Sequence, residues 1–193
     1  VKYAEHNSPE LLGNLSTCRS PQQMFGSLVK KHWAKELGKD PADIFVISVM
    51  PCTAKKFEAT RPEFNAKGVA DVDLVLTTQE LARMIREVGL AFTDLDPEAF
   101  DTPFGFATGA GVIFGNTGGV AEAVLRAAHE VLTGENLEQV NFEAVRGFDG
   151  IKEVNAIING TEVKLAVVNG LGNAAILLER IKAGEAEYHL VEV

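Results

Sequence analysis

The segment Ile44-Phe45-Val46-Ile47-Ser48-Val49-Met50 stops abruptly at Pro51-Cys52-Thr53, and it constrains the fold more than any other stretch. Its branched apolar residues lack the polar alternation of a strand with one wet face. A run of this kind predicts a strand buried on both faces, as in parallel sheets, where helices cover each side. In open α/β sheets, ligands gather beyond the carboxyl ends of such strands. Cys52 stands at that end with Lys55 and Lys56 close by, and nearby cations favour a thiolate over a thiol. Position alone leaves two readings open: a buried cysteine acting as a small hydrophobe, or a ligand for a soft metal or an iron–sulfur cluster. A cluster ordinarily takes four cysteines. The chain has Cys18 and Cys52, with no Cys-x-x-Cys pair and no His-rich substitute. If Cys52 is a ligand, its companions lie outside this sequence.

The rest of the chain alternates helical and strand patterns. Ser20 and Gln23 form a capping box with Pro21 at the first helical position. Phe25, Leu28, Val29, Trp33 and Leu37 then share one helical face, predicted to be the core face, and Gly38 closes the helix. "VDLVLTT" (72–78) predicts a second strand. Thr78 is the expected cap of a following helix whose core face carries Leu81, Met84, Ile85 and Val88. Residues 90–108 lack periodicity, carry Pro97 and Pro103, and read as loop. The glycine-rich "TGAGVIFGNTGG" (108–119) leads into a helix over Val120–Leu132. "FEAVRG", "KEVNAII" and "EVKLAVV" read as strands, the last two joined by an Asn159-Gly160 hairpin turn. A helix over Leu171–Lys182 precedes a closing strand. The expected fold is α/β: mixed, mainly parallel sheets flanked by helices in two lobes, with an antiparallel hairpin in the second. No linker-like segment or internal repeat interrupts it.

The net charge of −9 argues against a nucleic-acid or anionic-membrane surface, which needs a basic stripe. No apolar run approaches the roughly 18 residues of a membrane span, and no signal-peptide pattern opens the chain. It begins at Val1 and ends in "EYHLVEV", which reads as mid-strand. Domains rarely stop inside their own sheet, because buried backbone groups need partners, so a piece of a longer protein is expected. A Cys18–Cys52 disulfide is not expected in the reducing compartment such a chain suits, and Cys18 reads as structural. His6, His32, His129 and His189 show no metal spacing; His32 and His129 read as exposed on helices. The hydroxyls of Ser16, Thr17 and Ser20 read as caps and turn formers. The glycine cluster lacks the Gly-Lys-Ser/Thr ending of a P-loop and contains no G-x-G-x-x-G. Its expected role is a close approach of backbone to another group or to a cofactor.

Taken together, the segments resemble the catalytic domain of FeFe-hydrogenases (iron-only hydrogenases). That family's second cluster motif, Met-Pro-Cys-x-x-Lys-x-x-Glu, stands here as Met50-Pro51-Cys52-Thr53-Ala54-Lys55-Lys56-Phe57-Glu58. "SPQQMFG", "DVDLVLTTQELARMI", "TGAGVIFGNTGGV", "AVRGFDGIKE" and "YHLVEV" match in the same order, whereas Phe106 stands where the family has an acidic residue. The chain resembles the internal segment between the first and third cysteine motifs.

The resemblance implies an H-cluster in the parent protein: a 4Fe-4S cluster joined to a di-iron unit with carbonyl and cyanide ligands. It implies that Cys52 is a metal ligand and that Lys55 hydrogen-bonds a cyanide. Pro21, Gln22, Met50 and Phe114 would line the di-iron pocket, with Gly115 beside it. Ser16 would lie on a proton path, making Ser16 and Lys55 the catalytic residues. The motifs holding the other three ligands and the proton-passing thiol are absent from this sequence, so the chain alone is expected to carry no cluster and no activity. Implied partners are an electron carrier such as ferredoxin or an NAD(P)-linked subunit, and maturation proteins that deliver the di-iron unit. The implied setting is the cytoplasm of an anaerobic bacterium. An iron–sulfur assembly relative or a redox sensor of the same fold is the alternative; "SPQQMFG" with "IFGNTGG" favours the hydrogenase.

Overall fold

A computed structural model describes residues 1–66, 68–137, 143–144 and 149–193, with backbone alone at Ala66, Glu143 and Ala144. The chain divides into two compact units, one of Val1 with Tyr3–Phe104 and one of Lys2 with Gly105–Val193.

After α1 (Lys2–Asn7) and a 3-10 turn, α2 (Pro21–Leu28) starts where expected. Pro21 presets φ, and Ser20 Oγ accepts the Gln23 N–H at 3.4 Å. The return arm of the predicted capping box is missing: the Gln23 side chain is fully buried, with neither polar atom partnered. Ser20 Oγ instead donates to Glu58 Oε2 at 2.8 Å, so one hydroxyl both caps α2 and ties it to a later segment. The helix continues through a π turn (Val29–Trp33) into α3 (Ala34–Glu36). Gly38 closes it at φ +64°. The Gly38 N–H donates to the Lys35 carbonyl (3.1 Å) and the Lys39 N–H to the Ala34 carbonyl (2.9 Å), the two bonds of a Schellman stop.

The inward face of this helix differs from the predicted one. Gln22, Gln23, Gly26, Val29, Lys30 and Ala34 are buried, while Phe25, Leu28 and Leu37 are exposed by 50%, 44% and 49%. Close fit and charge decide this, rather than apolar periodicity. A Cβ on Gly26 would lie 2.3 Å from the Asp71 carbonyl oxygen, so only glycine lets the helix seat there. The buried Lys30 ammonium is drawn to Asp73 Oδ2 (2.8 Å) and to the Ile44 carbonyl.

The first unit then forms β1 (Ile47–Met50), α4 (Ala54–Ala59), β2 (Asn65–Ala66), β3 (Val69–Ala70), β4 (Leu74–Thr77) and α5 (Thr78–Glu87). β1 runs parallel to β4, with Ile47 opposite Leu74 and Met50 opposite Thr77. It is shorter than its apolar run: the Val46 N–H goes to Asp73 Oδ2 at 2.7 Å. It is also not buried on both faces, since Ile47 and Val49 are 52% and 41% exposed. The cap of α5 is Thr77, one residue before the predicted Thr78, in a complete box: Thr77 Oγ1 accepts the Glu80 N–H (3.1 Å) and Glu80 Oε2 accepts the Thr77 N–H (2.8 Å). The predicted core face of α5 holds no buried residue. Leu81 and Ile85 are half-buried, and Met84 and Val88 are exposed. Residues 90–108 are mostly irregular, as expected.

The second unit contains α6 (Gly109–Ile113), α7 (Gly119–Thr133), β5 (Glu143–Ala144), β6 (Ile151–Ile158), β7 (Thr161–Val168), α8 (Leu171–Lys182) and β8 (Leu190–Glu192). Its sheet order is β5-β6-β7-β8. The hairpin turn takes Asn159 to φ +48° and Gly160 to φ +79°, as an Asn-Gly turn of the primed type requires. β7 is the strand covered on both faces. Leu165 and Val167 pack with Ala121 and Leu125 of α7, while Ala166 and Val168 pack with Ala174 and Leu177 of α8.

The α/β expectation stands, with small mixed sheets and helices against them. A parallel majority does not. Among the described residues β1/β4 and β7/β8 are parallel, whereas β2/β3, β5/β6 and β6/β7 are antiparallel; the two-residue connection between β6 and β7 can only reverse the chain. Of the predicted "FEAVRG" strand, Glu143–Ala144 form β5 and the remainder lies outside the described residues.

Candidate functional site

Pro51, with no N–H to give, ends the β1 ladder, and Pro51-Cys52-Thr53 turn the chain into α4. The Lys55 N–H donates to the Cys52 carbonyl at 3.3 Å. Cys52 is exposed and free, which removes its reading as a buried small hydrophobe. Cys18 is also exposed and free, so the two form no disulfide and Cys18 is no core element.

Glu58, one turn beyond Lys55, is the hub of this corner. Its Oε2 accepts from Ser20 Oγ (2.8 Å) and Gln22 Nε2 (3.2 Å), and lies 3.4 Å from Lys55 Nζ. Gln22 Nε2 also reaches the Lys55 carbonyl at 3.2 Å. Gln22 is 5% exposed, and its Oε1 is buried without a partner. The structure thus joins the start of α2, with Pro21 and Gln22, to the start of α4, with Cys52 and Lys55. Met50, at the end of β1, is half-buried beside them in sequence. In sequence Glu58 stands only as the last residue of the Met-Pro-Cys motif; its spacing of three from Lys55, which places both on one helical face, is the signal for this hub.

The two adjacent lysines have separate duties. Lys56 Nζ donates to the Val75 carbonyl (3.0 Å) and pairs with Glu80 Oε2 (2.7 Å), fixing α4 against β4 and α5. The Lys56 hydrogen bond, with that of the Thr77 N–H, holds the Glu80 carboxyl down at about 2. Among the described residues the Lys55 ammonium keeps one long contact, to Glu58, with the side chain 29% exposed.

Ser16 is exposed, and its Oγ accepts the Cys18 N–H at 3.1 Å, the turn-forming role read from sequence. Phe114 and Gly115 belong to the second unit, where both are exposed just beyond α6. The close approach expected of the glycine cluster is backbone on backbone: a Cβ on Gly119 would fall 1.8 Å from the Ile113 carbonyl oxygen. Phe106 is 94% exposed. His32 is exposed as expected, whereas His129 is half-buried, with Nδ1 at 2.8 Å from the Glu135 carbonyl.

Among the described residues, no three His, Cys, Asp or Glu side chains are grouped to hold a metal ion. The donor set around Cys52 suits one corner of a cluster site: one accessible soft thiol, one ammonium, and one buried amide oxygen left without a donor.

The family model for the iron only hydrogenase large subunit, C-terminal domain, matches residues 1–193. The chain therefore belongs to this family. It is 49% identical, over 193 residues, to the NADP-reducing hydrogenase subunit HndD of Solidesulfovibrio fructosivorans, covering all of this chain and 33% of that protein. It is 46% identical to the periplasmic [Fe] hydrogenase large subunit of Nitratidesulfovibrio vulgaris, covering 99% of this chain and 45% of that one. The cytosolic Fe-S cluster assembly factor narfl of Xenopus tropicalis matches at 39% across the whole chain and 42% of its own length. The structure superposes on apo [FeFe]-hydrogenase HydA1 from Chlamydomonas reinhardtii, variant C377H, with TM-score 0.84 and 37% identity over 98% of this chain and 55% of that one. The chain spans between a third and about half the length of these relatives.

Proposed function

We propose that this chain is part of the catalytic domain of an iron-only hydrogenase that interconverts protons plus electrons with molecular hydrogen. The observation that carries this reading is the exposed Cys52 at the carboxyl end of β1, with Lys55 and Gln22 joined beside it through Glu58. An H-cluster, when bound, would supply redox chemistry that side chains lack. Cys52 gives it one thiolate, and the other three ligands come from outside this sequence. Lys55, a compact cation with three donors, holds an anionic acceptor-only ligand, and Glu58 limits the directions its ammonium takes. Gln22 offers its free Oε1 to a donor. Pro21 and Met50 keep water from the cluster on the first unit; the roles of Phe114 and Gly115, in the second unit, rest on the resemblance alone. The Ser16 hydroxyl passes protons. The chain by itself holds one ligand of four and is inactive without its parent.

An electron carrier of the ferredoxin or NAD(P)-linked kind serves the parent, as the NADP-reducing name of one relative suggests, and maturation proteins deliver the di-iron unit. No described helix is long and apolar enough to cross a membrane. A cytoplasmic setting is our reading, and the periplasmic relative is its rival. Iron–sulfur assembly is the second function, supported by the match to an assembly factor, but at 39% identity against 49% for the hydrogenase subunit.

The test is Cys52→Ser in the full-length protein purified without oxygen. Because a hard hydroxyl is a poor substitute for a soft thiolate on iron, iron content and hydrogen evolution both fall to near background. Full iron content with wild-type evolution contradicts the assignment. Full iron binding with no evolution in the unmutated protein favours the assembly reading.

A further inference from the structure

α7 opens on a residue that cannot cap it. Gly118, at φ +90°, has no side chain to offer the free N–H groups of the first turn. The acceptor comes from the far end of the sequence. Glu192 in β8 takes the Gly118 N–H on Oε1 (3.0 Å) and the Ala121 N–H on Oε2 (2.6 Å), so both oxygens of one carboxylate cap the helix. A carboxylate also suits the positive end of the helix dipole, and its hydrogen bonds are charge-assisted. The neighbouring strand adds a second grip. Val167 is the register partner of Glu192, and a Cβ on Gly118 would meet its methyl groups at 3.3 and 3.5 Å.

The loop before α7 is locked to this helix end. The Gly119 N–H donates to the Asn116 carbonyl at 2.9 Å, and the Asn116 N–H to the Ile113 carbonyl at 3.0 Å. A Cβ on Gly119 would fall 1.8 Å from the Ile113 oxygen and 3.2 Å from the Phe114 Cα. Residues 113–119 are therefore a closed turn with little freedom to move independently of the start of α7.

We propose that Glu192 is a positioning residue: by capping α7 from β8, it sets where Phe114 and Gly115 stand. The role of those two residues rests on the hydrogenase reading above, whereas the hold of Glu192 on the loop does not.

The experiment uses the full-length protein and the nearly isosteric Glu192→Gln, with Glu192→Asp as a second variant that keeps the charge on a shorter arm. On cofactor-free protein, residue-resolved amide exchange is expected to quicken about tenfold at Asn116, Gly118, Gly119 and Ala121 in Glu192→Gln, the scale of one lost cap. Glu192→Asp gives a smaller rise, and β6, β7 and the middle of α7 do not change. Unchanged rates at the four amides overturn the proposal. So does an even rise throughout the second unit, which marks a merely structural contact. On cofactor-loaded protein, the infrared bands of the carbonyl and cyanide ligands shift or split in Glu192→Gln. If the loop amides respond while those bands stay unshifted and sharp, Glu192 does not position the site. If the unmutated protein shows no such bands, the hydrogenase reading fails, and the exchange rates still decide whether Glu192 holds the loop.

Discussion

β7 carries Leu165, Ala166, Val167 and Val168, each at most 2% exposed, whereas β1 leaves Ile47 and Val49 at 52% and 41%. Both began as the same signal, a short run of mostly branched apolar residues. Burial on both faces also requires a cover on each side. β7 receives one from α7 and another from α8, elements of its own unit. Among the described residues β1 has a single strand partner.

The two units are accordingly held by different forces. The second has apolar clusters on both sides of its sheet. The first buries polar groups: Lys30 against a half-buried Asp73, Asp71 against a half-buried Arg19, and the amide of Gln23. Phe25, Leu28, Phe45, Ile47, Val49, Met84 and Val88 meanwhile face outward. Apolar burial is non-directional, whereas ion pairs and glycine-tight contacts fix direction. The candidate thiol and lysine lie on the unit built the second way.

The largest effect that separates the units is truncation in the core. Leu165→Ala is expected to cost about 2–5 kcal/mol, and Ile47→Ala under about 1 kcal/mol, read from amide exchange in the sheet of each unit. Equal costs would break the comparison. Next comes Lys30→Met, which leaves the Asp73 carboxylate without its ammonium. A loss of about 3 kcal/mol is expected in the first unit, with Val46 and Ile44 loosened by the same measure, because their polar groups share that pair. A stabilised variant would mean that the first unit is held by apolar contact after all.

The smallest effect is the pH response of Glu80. Its folded carboxyl titrates at about 2 rather than 4.5, so the stabilisation from Lys56 and the Thr77 N–H is fully present above pH 4.5. It fades as the pH falls towards 2. An NMR titration should find that low value and see it rise in Lys56→Met; a wild-type value near 4.5 would remove the contact.

The comparison also shows how far sequence could be read. Local chemistry was legible: the Ser20-Pro21 helix start, the Gly38 stop, the Asn159-Gly160 hairpin and the bounds of α8 all follow from neighbouring residues. The inward face of α2 was not. Gly26 was chosen by the Asp71 carbonyl and Lys30 by Asp73, and neither partner can be seen in a helical period. Thr77 rather than Thr78 was readable, because Glu80 stands three residues after it. In the candidate site, Cys52 and Lys55 stood out by position beside a strand end. The hub at Glu58 and the cap from Glu192 appear only once distant segments meet. Val167 and Ile47 look alike in sequence, and the layers above them decide their fates.

Lys55 bears most directly on the central claim. In the full-length protein, Lys55→Met removes the ammonium that Glu58 steadies three residues after Cys52, while leaving the thiol in place. Infrared spectra of the carbonyl and cyanide bands, taken with electron paramagnetic resonance of the four-iron cluster, separate the two consequences. The expected outcome is a retained four-iron signal, with the infrared bands lost or shifted and hydrogen evolution lost with them. Bands at full intensity and unshifted in Lys55→Met would show that the lysine is an ordinary surface charge and contradict the account.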